Sequence, residues 1–283
     1  EDKGCGIDSQ KDLYCWGSFS QNLPILVDTK VVDVKLLKPQ QGAPLSDWLF
    51  YTKIDGTVKA YNNFIHPVNY PAGSTVRNLE SGDKHACALT NGSMYCVGDN
   101  SLGQLATGNG TSTFDPVASP FGVTSSFIRL AKSTNGDHGC GIHSNGTLHC
   151  WGQNNLGQLG LGTAGAWHTS PSQVPGVSDV VEAGVSKTAT CVIRKPGGLY
   201  CWGANIQQWI TLGTDPVANV TSPRAIPLSF TPVSFQLAYG GICVKSDVGD
   251  VYCWGSNAYG TIGVGTASPS PSAYTTPQLV STL

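Results

Sequence analysis

The ten cysteines are the residues whose type and spacing most clearly predict a chemistry. They form five pairs, nine or ten residues apart: Cys5/Cys15, Cys87/Cys96, Cys140/Cys150, Cys191/Cys201 and Cys243/Cys253. Zinc sites prefer cysteines two to four residues apart and grouped in fours, and free buried thiols would not recur in pairs. We therefore predict five disulfide bonds. Such bonds persist in oxidising compartments, so we expect a secreted or extracellular protein.

The six histidines form no obvious catalytic or metal-binding set. His85 and His138 share one repeat position, two residues before a cysteine, which indicates a structural role. No H-x-H or H-x-x-x-H spacing occurs, and no nucleophile elbow, phosphate-binding loop or dinucleotide fingerprint is present. We predict no catalytic residue, no metal site and no cofactor. A ring-shaped fold could still bring distant acids and histidines together at its axis, so catalysis stays an alternative.

Each cysteine pair lies in a repeated phrase that predicts a β-hairpin. In residues 87–96 the pair Asn91-Gly92 is the strongest two-residue hairpin signal. Pairing outward from this turn sets Cys87 opposite Cys96, at a separation that a disulfide tolerates. A sixth copy, residues 51–62, lacks cysteines but keeps a turn at Asp55-Gly56. Its register predicts Tyr51 opposite Ala60.

The copies recur every 36 to 53 residues, counted from their first cysteine positions. Repeats of this length are typical of propellers and solenoids. No segment has a convincing helical period, and short apolar runs precede four of the hairpins, so we predict an all-β fold. These runs are residues 31–34, 127–130, 180–183 and 235–238.

Residues 138–163, with a hydrophobic strand, an Asn-Gly turn, Trp-Gly and G-Q-L-G-L-G, resemble the regulator-of-chromosome-condensation repeat. Residues 101–111 and 257–266 are weaker copies. The resemblance covers essentially the whole chain and implies a single β-propeller domain, residues 1–283, built from four-stranded blades. Paired cysteines resemble the family's secreted branch, which includes bacterial extracellular propellers and plant Crinkly-type receptor kinase ectodomains.

Six blades are expected, with seven as the alternative and one disulfide in five of them. Their hairpins lie near residues 5–17, 51–62, 87–98, 140–152, 191–203 and 243–255. The first hairpin lacks a leading strand, while residues 277–281 form an apolar segment without a local partner. We therefore predict that the C-terminal strand joins blade one, which closes the ring and hides its edges.

The tryptophans divide into two groups. Trp16, Trp151, Trp202 and Trp254 each follow a second cysteine, and this repeated position indicates packing between blades. Trp48, Trp167 and Trp209 lie outside the repeated phrase. Because loops often carry function and tryptophan is enriched at binding hot spots, the candidate binding residues are Trp167, His168, Trp209 and Trp48. The alternative is that these side chains pack over a blade.

Composition excludes several classes of protein. Charged residues are 12% of the chain and the net charge is −2, without the concentrated basic face that phosphate binding needs, so we expect no nucleic-acid partner. No apolar run approaches the length of a membrane span, and no signal peptide opens the chain. We expect no membrane insertion by this chain, and Glu1 is expected to start a processed or trimmed product. Four sequons are possible N-glycosylation sites: Asn91, Asn109, Asn145 and Asn219.

A rigid disulfide-bonded scaffold with variable loops favours a recognition module that binds a protein or peptide across one face of the ring. Resemblance to the family supports this hypothesis, since relatives act as protein-binding platforms, although fold alone does not decide function. Guanine-nucleotide exchange in the nucleus is improbable for a chain with five predicted disulfides. The alternatives are a carbohydrate-binding lectin and an extracellular enzyme with an axial active site.

Overall fold

The computed structural model describes residues 3–17, 23–36, 49–61, 65–67, 70, 74–91, 93–264 and 272–280. These residues form β-strands, turns and three short 3-10 segments, so the predicted all-β class is confirmed. The 3-10 segments are Gly122–Ser126, Ile206–Gln208 and Ala258–Gly260.

Six sheets follow one another along the described chain, each built around one predicted hairpin. Sheet 1 contains β1 (Lys3–Ile7), β2 (Leu13–Gly17) and β3 (Ile25–Asp28). Sheet 2 contains β4 (Val31–Leu36), β5 (Leu49–Lys53), β6 (Val58–Tyr61) and β7 (Ile65–Pro67). Sheet 3 contains β8 (Asn78–Ser81), β9 (His85–Leu89), β10 (Met94–Gly98) and β11 (Thr113–Ala118).

The second half of the chain repeats this order. Sheet 4 contains β12 (Phe127–Leu130), β14 (His138–His143), β15 (Leu148–Asn154) and β16 (Gly165–Gln173). Sheet 5 contains β17 (Val180–Ser186), β18 (Ala189–Arg194), β19 (Gly198–Ala204) and β20 (Asn219–Ile226), and β13 (Lys132–Thr134) joins it in parallel beside β17. Sheet 6 contains β21 (Pro232–Ala238), β22 (Gly241–Ser246), β23 (Val251–Ser256) and β24 (Ala273–Leu279).

The five predicted disulfides are confirmed. In each hairpin the two cysteines lie directly opposite each other, with Cα atoms 4.1 Å apart. In the chain-entropy model a loop of this size contributes about 2.7 kcal/mol to the free energy of unfolding. The bonds join Cys5 to Cys15, Cys87 to Cys96, Cys140 to Cys150, Cys191 to Cys201, and Cys243 to Cys253.

The register of the cysteine-free hairpin differs from the prediction by one residue. Tyr51 lies opposite Lys59, and Ala60 lies opposite Phe50. The turn has three residues rather than two, because the N–H of Lys53 donates to the carbonyl of Thr57 at 2.8 Å. Gly56 is the last residue of this loop and has a φ of +80°, which favours glycine.

Three tryptophans hold neighbouring sheets together. Each indole N–H donates to a backbone oxygen in the loop after the third strand of the preceding sheet, at 2.9 Å. The donor and acceptor pairs are Trp151 with Gln104, Trp202 with Gln158, and Trp254 with Trp209. All three indoles are buried, so their packing role is confirmed. Trp16 differs, since it is 40% exposed. Like the other three tryptophans it lies opposite the residue before the first cysteine of its hairpin, which here is Gly4.

The predicted pairing of the C-terminal strand with blade one is wrong. β24 pairs with β23 in sheet 6, where Gln278 lies opposite Cys253 and Leu279 opposite Tyr252. The segment therefore has a local partner, and a short connection costs less entropy than pairing with the distant first sheet. Sheet 1 has three strands, and no sheet closes on itself among the described residues. The number of blades and the closure of the ring stay predictions.

Candidate functional site

The first strand of sheets 2, 4, 5 and 6 contains a β-bulge near its beginning. In each bulge two adjacent residues replace the one that the partner strand would pair, and the extra residue is left unpaired. The strand pairing skips Val32, Ile128, Val181 and Val233 in turn. In sheet 3 the equivalent residue is Arg77, whose N–H donates to the carbonyl of Leu89 while Asn78 pairs with that same residue.

These five residues occupy the same register position. Each is the third residue before the one that lies opposite the first cysteine position of its hairpin, which Phe50 occupies in sheet 2. First strands of neighbouring sheets contact one another, as β4 does with β8, β8 with β12, and β17 with β21. We call Val32, Arg77, Ile128, Val181 and Val233 the bulge row.

The bulge row is exposed to solvent. Its four aliphatic side chains are 39% to 64% exposed, and Arg77 is exposed as well. The residues just before them, such as Val31 and Val180, are buried between the sheets. The bulge thus turns one apolar side chain outward in each of four sheets, at the same end of the first strands.

A groove of about 440 Å³ separates sheets 4 and 5 at this end. Ile128 and Val181 from the bulge row line it, with Arg129, Lys195 and Asp179 adding charges at its edges. Asn145, in the turn of the sheet 4 hairpin, also lies along the groove. The site therefore offers two exposed aliphatic side chains, two cations and one carboxylate in one concave surface.

The sequence did not predict this surface, although a signal for it exists. The apolar runs before three of the hairpins predict only plain strands. The signal is the adjacent apolar pairs Val31-Val32, Phe127-Ile128 and Val180-Val181, each in the run that precedes a hairpin. A pair of neighbouring apolar residues breaks the alternation of a half-buried strand, and a repeated break at one position is typical of a backbone irregularity such as a bulge.

The structure separates the predicted binding residues. Trp167 and His168 lie in β16, the outermost strand of sheet 4, where Trp167 is 53% exposed. Nδ1 of His168 is 3.1 Å from Oγ of Ser172. Trp48 lies outside the described residues.

Trp209 does not form a binding surface. Its side chain is 1% exposed, and its backbone oxygen accepts the indole N–H of Trp254. The sequence placed it in an irregular loop, where tryptophan can bind partners. The structure instead packs that loop between sheets 5 and 6, where the buried indole offers no surface to a ligand.

Eight of the ten cysteines are buried within the sheets. Cys15 of β2 and Cys201 of β19 are both 0% exposed, and Cys201 packs in the same apolar cluster as Cys191. Cys5 and Cys243 are half-buried, and the other cysteines are buried. No cysteine is free among the residues that the structure describes, so these side chains cross-link the hairpins and offer no thiol for chemistry.

The possible glycosylation sites differ in exposure. Asn91, Asn109 and Asn145 are exposed, whereas Asn219 is half-buried at the start of β20. The side-chain oxygen of Asn145 accepts hydrogen bonds from the N–H and the hydroxyl of Thr147.

Two buried histidines have strongly shifted pKa values. Burial lowers the pKa of His85 to about 4, against the opposing effect of Asp99, and burial together with the charge of His85 lowers the pKa of His138 to about 3. Both rings are therefore neutral at pH 7. Burial raises the pKa of Glu80, which lines a cavity with the two histidines. That cavity holds about 20 Å³ of space for the centre of a water molecule, which fits a water but not a substrate.

A metal centre is not formed by these side chains. Among the described residues, no group of three or more histidines, cysteines, aspartates or glutamates could hold a metal ion. No helix in the described part of the chain is both long and apolar enough for a membrane crossing.

Repeated antiparallel sheets joined side by side define a protein of the β-propeller class, and comparison with known proteins identifies the type. The profile of the "Regulator of chromosome condensation (RCC1) repeat" matches residues 145–193 and 248–283, and a second profile of this repeat matches residues 76–104. The chain contains RCC1 repeats and is an RCC1-like β-propeller.

Alignments with similar human proteins cover 68% of this chain. Human "Probable E3 ubiquitin-protein ligase HERC3" is 31% identical over 199 residues, which are 68% of this chain and 18% of that protein. The match to human HERC6 also covers only 19% of that protein, so the chain spans less than a fifth of the length of these relatives.

Two solved structures define the fold. Prp20p from Saccharomyces cerevisiae has a TM-score of 0.82 at 15% identity, and the alignment covers 99% of this chain and 75% of that one. The ectodomain of the Physcomitrella patens receptor kinase CR4 has a TM-score of 0.54 at 18% identity, covering 89% of this chain and 60% of that one. At these identities the likeness extends to the fold alone.

Proposed function

We propose that this chain is a recognition module that binds a protein or peptide through the bulge row and the groove between sheets 4 and 5. The observation that carries the proposal is the exposure of an aliphatic side chain at one register position in four sheets. Scattered single apolar residues on a surface are ordinary, whereas an aligned set of them is typical of interaction sites. The proposed module comprises all six sheets as one domain.

The groove supports a protein ligand better than a small molecule. It is open along one side, and its walls combine Ile128 and Val181 with the charged groups of Arg129 and Lys195. Protein interfaces commonly join an apolar centre to a charged rim in this way. A peptide could bury the two aliphatic side chains while its carboxylates pair with the two cations.

Solved structures with the same fold also support the proposal that this chain binds a protein. The solved structures of Prp20 concern complexes with Kap60 and binding to Gsp1p and histones. Those partners belong to that protein, and we propose for this chain only the general mode of binding a protein. Its five disulfides indicate an oxidising environment. We accordingly propose a secreted or cell-surface location, with N-glycans at Asn91 or Asn109. Asn145 lines the groove, so binding there requires this sequon to carry no glycan.

Carbohydrate binding is the second candidate, because one exposed indole, Trp167, could stack on a sugar ring. The indole has no counterpart at an equivalent position in the other sheets, so it does not provide the repeated sugar sites of a propeller lectin. Trp167 and His168 therefore serve as the alternative surface in the experiment below.

The test compares three forms of the full chain in affinity capture from native extracellular fluid, followed by mass spectrometry. The wild type is compared with a double variant of the bulge row, Ile128→Asp with Val181→Asp. The matched control is Leu279→Asp with Val217→Asp, two aliphatic residues that are 54% and 41% exposed elsewhere on the surface. A further variant, Trp167→Ala, tests the alternative surface.

We expect the wild type, the control and Trp167→Ala to retain one and the same protein. The amount retained by the bulge-row variant should be at least tenfold lower. Equal retention by the wild type and the bulge-row variant contradicts the proposed surface. Recovery of many glycoproteins that free sugar elutes, with loss in Trp167→Ala, supports the lectin instead.

A further inference from the structure

Three buried polar atoms near the first strands have no hydrogen-bond partner among the residues that the structure describes. They are Nδ1 of His85, Nδ1 of His138 and Oγ of Ser133. Both histidine side chains are more than nine-tenths buried. A buried polar atom without a partner costs about 1–3 kcal/mol, so three of them in one place require an explanation.

All three residues line the same cavity, which lies where three sheets meet. His85 belongs to β9 of sheet 3 and His138 to β14 of sheet 4. Ser133 belongs to β13, which pairs with β17 of sheet 5. Leu130 and Val185 close other sides of the cavity with apolar surface. The three residues therefore line one space where sheets 3, 4 and 5 meet.

The hydrogen bonds around His138 fix the proton on its ring. Its Nε2 is 2.8 Å from Oγ1 of Thr190, and the hydroxyl of Thr190 donates to the carbonyl of Gln158 at 2.7 Å. Since that hydroxyl proton is already used, Oγ1 can only accept from His138. Nε2 therefore carries the hydrogen, and Nδ1 of His138 presents a lone pair that needs a donor from within the cavity.

We propose that one ordered water molecule occupies this cavity, donates to Nδ1 of His138 and forms hydrogen bonds with Nδ1 of His85 and Oγ of Ser133. The space fits, since the cavity offers about 20 Å³ to the centre of a water molecule and one water needs about 10–15 Å³ of such space. A buried water typically makes two to four hydrogen bonds, and three polar atoms satisfy that requirement.

A metal ion is a poorer occupant than water. Among the described residues no group of three or more histidines, cysteines, aspartates or glutamates could hold a metal ion, and the Glu80 carboxylate that also lines the cavity is paired with Lys35 at 3.4 Å. The water instead acts as a hydrogen-bonded bridge that links sheets 3, 4 and 5 beside the first strands. The site does not depend on the proposed partner binding, since none of its residues belongs to the bulge row.

The experiment counts long-lived internal waters by ¹⁷O magnetic relaxation dispersion in the wild-type chain and in Ser133→Val. Valine removes the hydroxyl and fills part of the cavity, so we expect the count to fall by one. The matched control is Ser234→Val in β21, a serine on the first strand of sheet 6 that does not line the cavity. This control is expected to keep the wild-type count.

A crystal structure of the wild type at high resolution gives a second measurement that needs no variant. The proposal expects one electron-density peak of water strength within hydrogen-bonding distance of both Nδ1 atoms and Oγ of Ser133. An empty cavity, a peak too strong for water, or an unchanged count in a folded Ser133→Val overturns it. If that variant does not fold, the density alone decides.

Discussion

Sheets 2 and 4 have the same strand order but are stabilised differently. Sheet 4 has the Cys140–Cys150 disulfide across its central hairpin. Sheet 2 has Phe50 and Ala60 at the equivalent positions. Both nevertheless form four antiparallel strands with a bulge near the start of the first strand. The comparison teaches that strand pairing, rather than the disulfide, sets the architecture of a sheet.

Sheet 2 has an ionic cluster that sheet 4 lacks at the corresponding position. Asp28, the last residue of sheet 1, accepts hydrogen bonds from Tyr51 at 3.0 Å, Lys53 at 2.7 Å and Lys59 at 2.9 Å. Although burial raises the pKa of Asp28, the hydrogen bonds from the two lysines outweigh it and hold that pKa well below its usual value. Sheet 2 is thus joined to its neighbour by charge, whereas the hairpin of sheet 4 is cross-linked covalently. The two sheets should respond to different conditions.

Mild acid should weaken sheets 3 and 4 before it weakens the contact between sheets 1 and 2. An unfolded histidine has a pKa of about 6.5, whereas the values for His85 and His138 are about 4 and about 3. Their contribution is fully present above about pH 6.5 and is lost as the pH falls toward the folded values. At pH 5 we expect a loss of about 2 kcal/mol per histidine, or about 4 kcal/mol together.

Urea unfolding between pH 7 and pH 5 measures this effect. His138→Gln should reduce the pH dependence by about half, since one of the two buried rings is gone. A free energy of unfolding that stays constant over this range, or the same slope in His138→Gln, contradicts the assignment.

Removal of the sheet 4 disulfide should destabilise sheet 4 and leave sheet 2 unchanged. In the double variant Cys140→Ala with Cys150→Ala we expect a loss of about 2.7 kcal/mol, the loop-entropy value for a loop of this size. Hydrogen exchange should report faster opening of β14 and β15 but not of β5 and β6. Equal acceleration in both sheets would show that the chain opens as one unit.

Replacement of Asp28 should destabilise sheet 2 and leave sheet 4 unchanged, the reverse of the effect expected for removal of the disulfide. Asp28→Asn removes the negative charge that accepts from Lys53 and Lys59, and hydrogen bonds to charged groups contribute about 1.5–3 kcal/mol. Because the folded pKa of Asp28 is depressed, its contribution is present above about pH 4 and is lost as the pH falls below that value. Urea unfolding at pH 7 and pH 3 measures both effects.

The matched control is Asp55→Asn, an exposed carboxylate in the sheet 2 turn that accepts from Thr57. Asp28→Asn should therefore lower stability at pH 7 and leave less to lose at pH 3. Identical free energies of unfolding for the two variants at both pH values would contradict a stabilising role of the ionic cluster.

The smallest effect is expected at the outer strand of sheet 4. Trp167 is 53% exposed in β16, so Trp167→Ala should change the free energy of unfolding by no more than about 0.5 kcal/mol. Thermal or urea unfolding at pH 7 measures it. A loss above about 1 kcal/mol would mean that this indole packs on the sheet and is not available to a ligand.

Much of the fold follows from the sequence because the repeated phrase combines several signals. Asn91-Gly92 fixes the loop of the sheet 3 hairpin, and that loop sets Cys87 opposite Cys96, as the structure has it. At the Asp55-Gly56 turn the predicted strand register is wrong by one residue. The same dipeptide can end a three-residue loop when glycine takes a positive φ. Turn residues alone do not distinguish the two loop lengths.

The candidate site was less predictable, because it depends on contacts between sheets. The sequence predicts connectors for both Trp167 and Trp209, yet Trp167 lies exposed in β16 and Trp209 is covered by the next sheet. The sequence shows no nearby partner for the C-terminal strand and so predicts that it joins the first sheet, whereas β23 pairs with it in the structure. The bulge row is recognised from the way each first strand pairs with its neighbour. The sequence pattern indicates this pairing only through adjacent apolar residues.

Peptide mapping of the unreduced protein tests the central claim most directly. Proteolysis and mass spectrometry should recover five disulfide-linked species, each joining two cysteines of a single hairpin, such as Cys5 with Cys15 and Cys191 with Cys201. None should come from residues 49–61. Links between cysteines of different hairpins, or thiols that alkylate before reduction, would contradict the arrangement of individually cross-linked sheets and the oxidising environment it indicates.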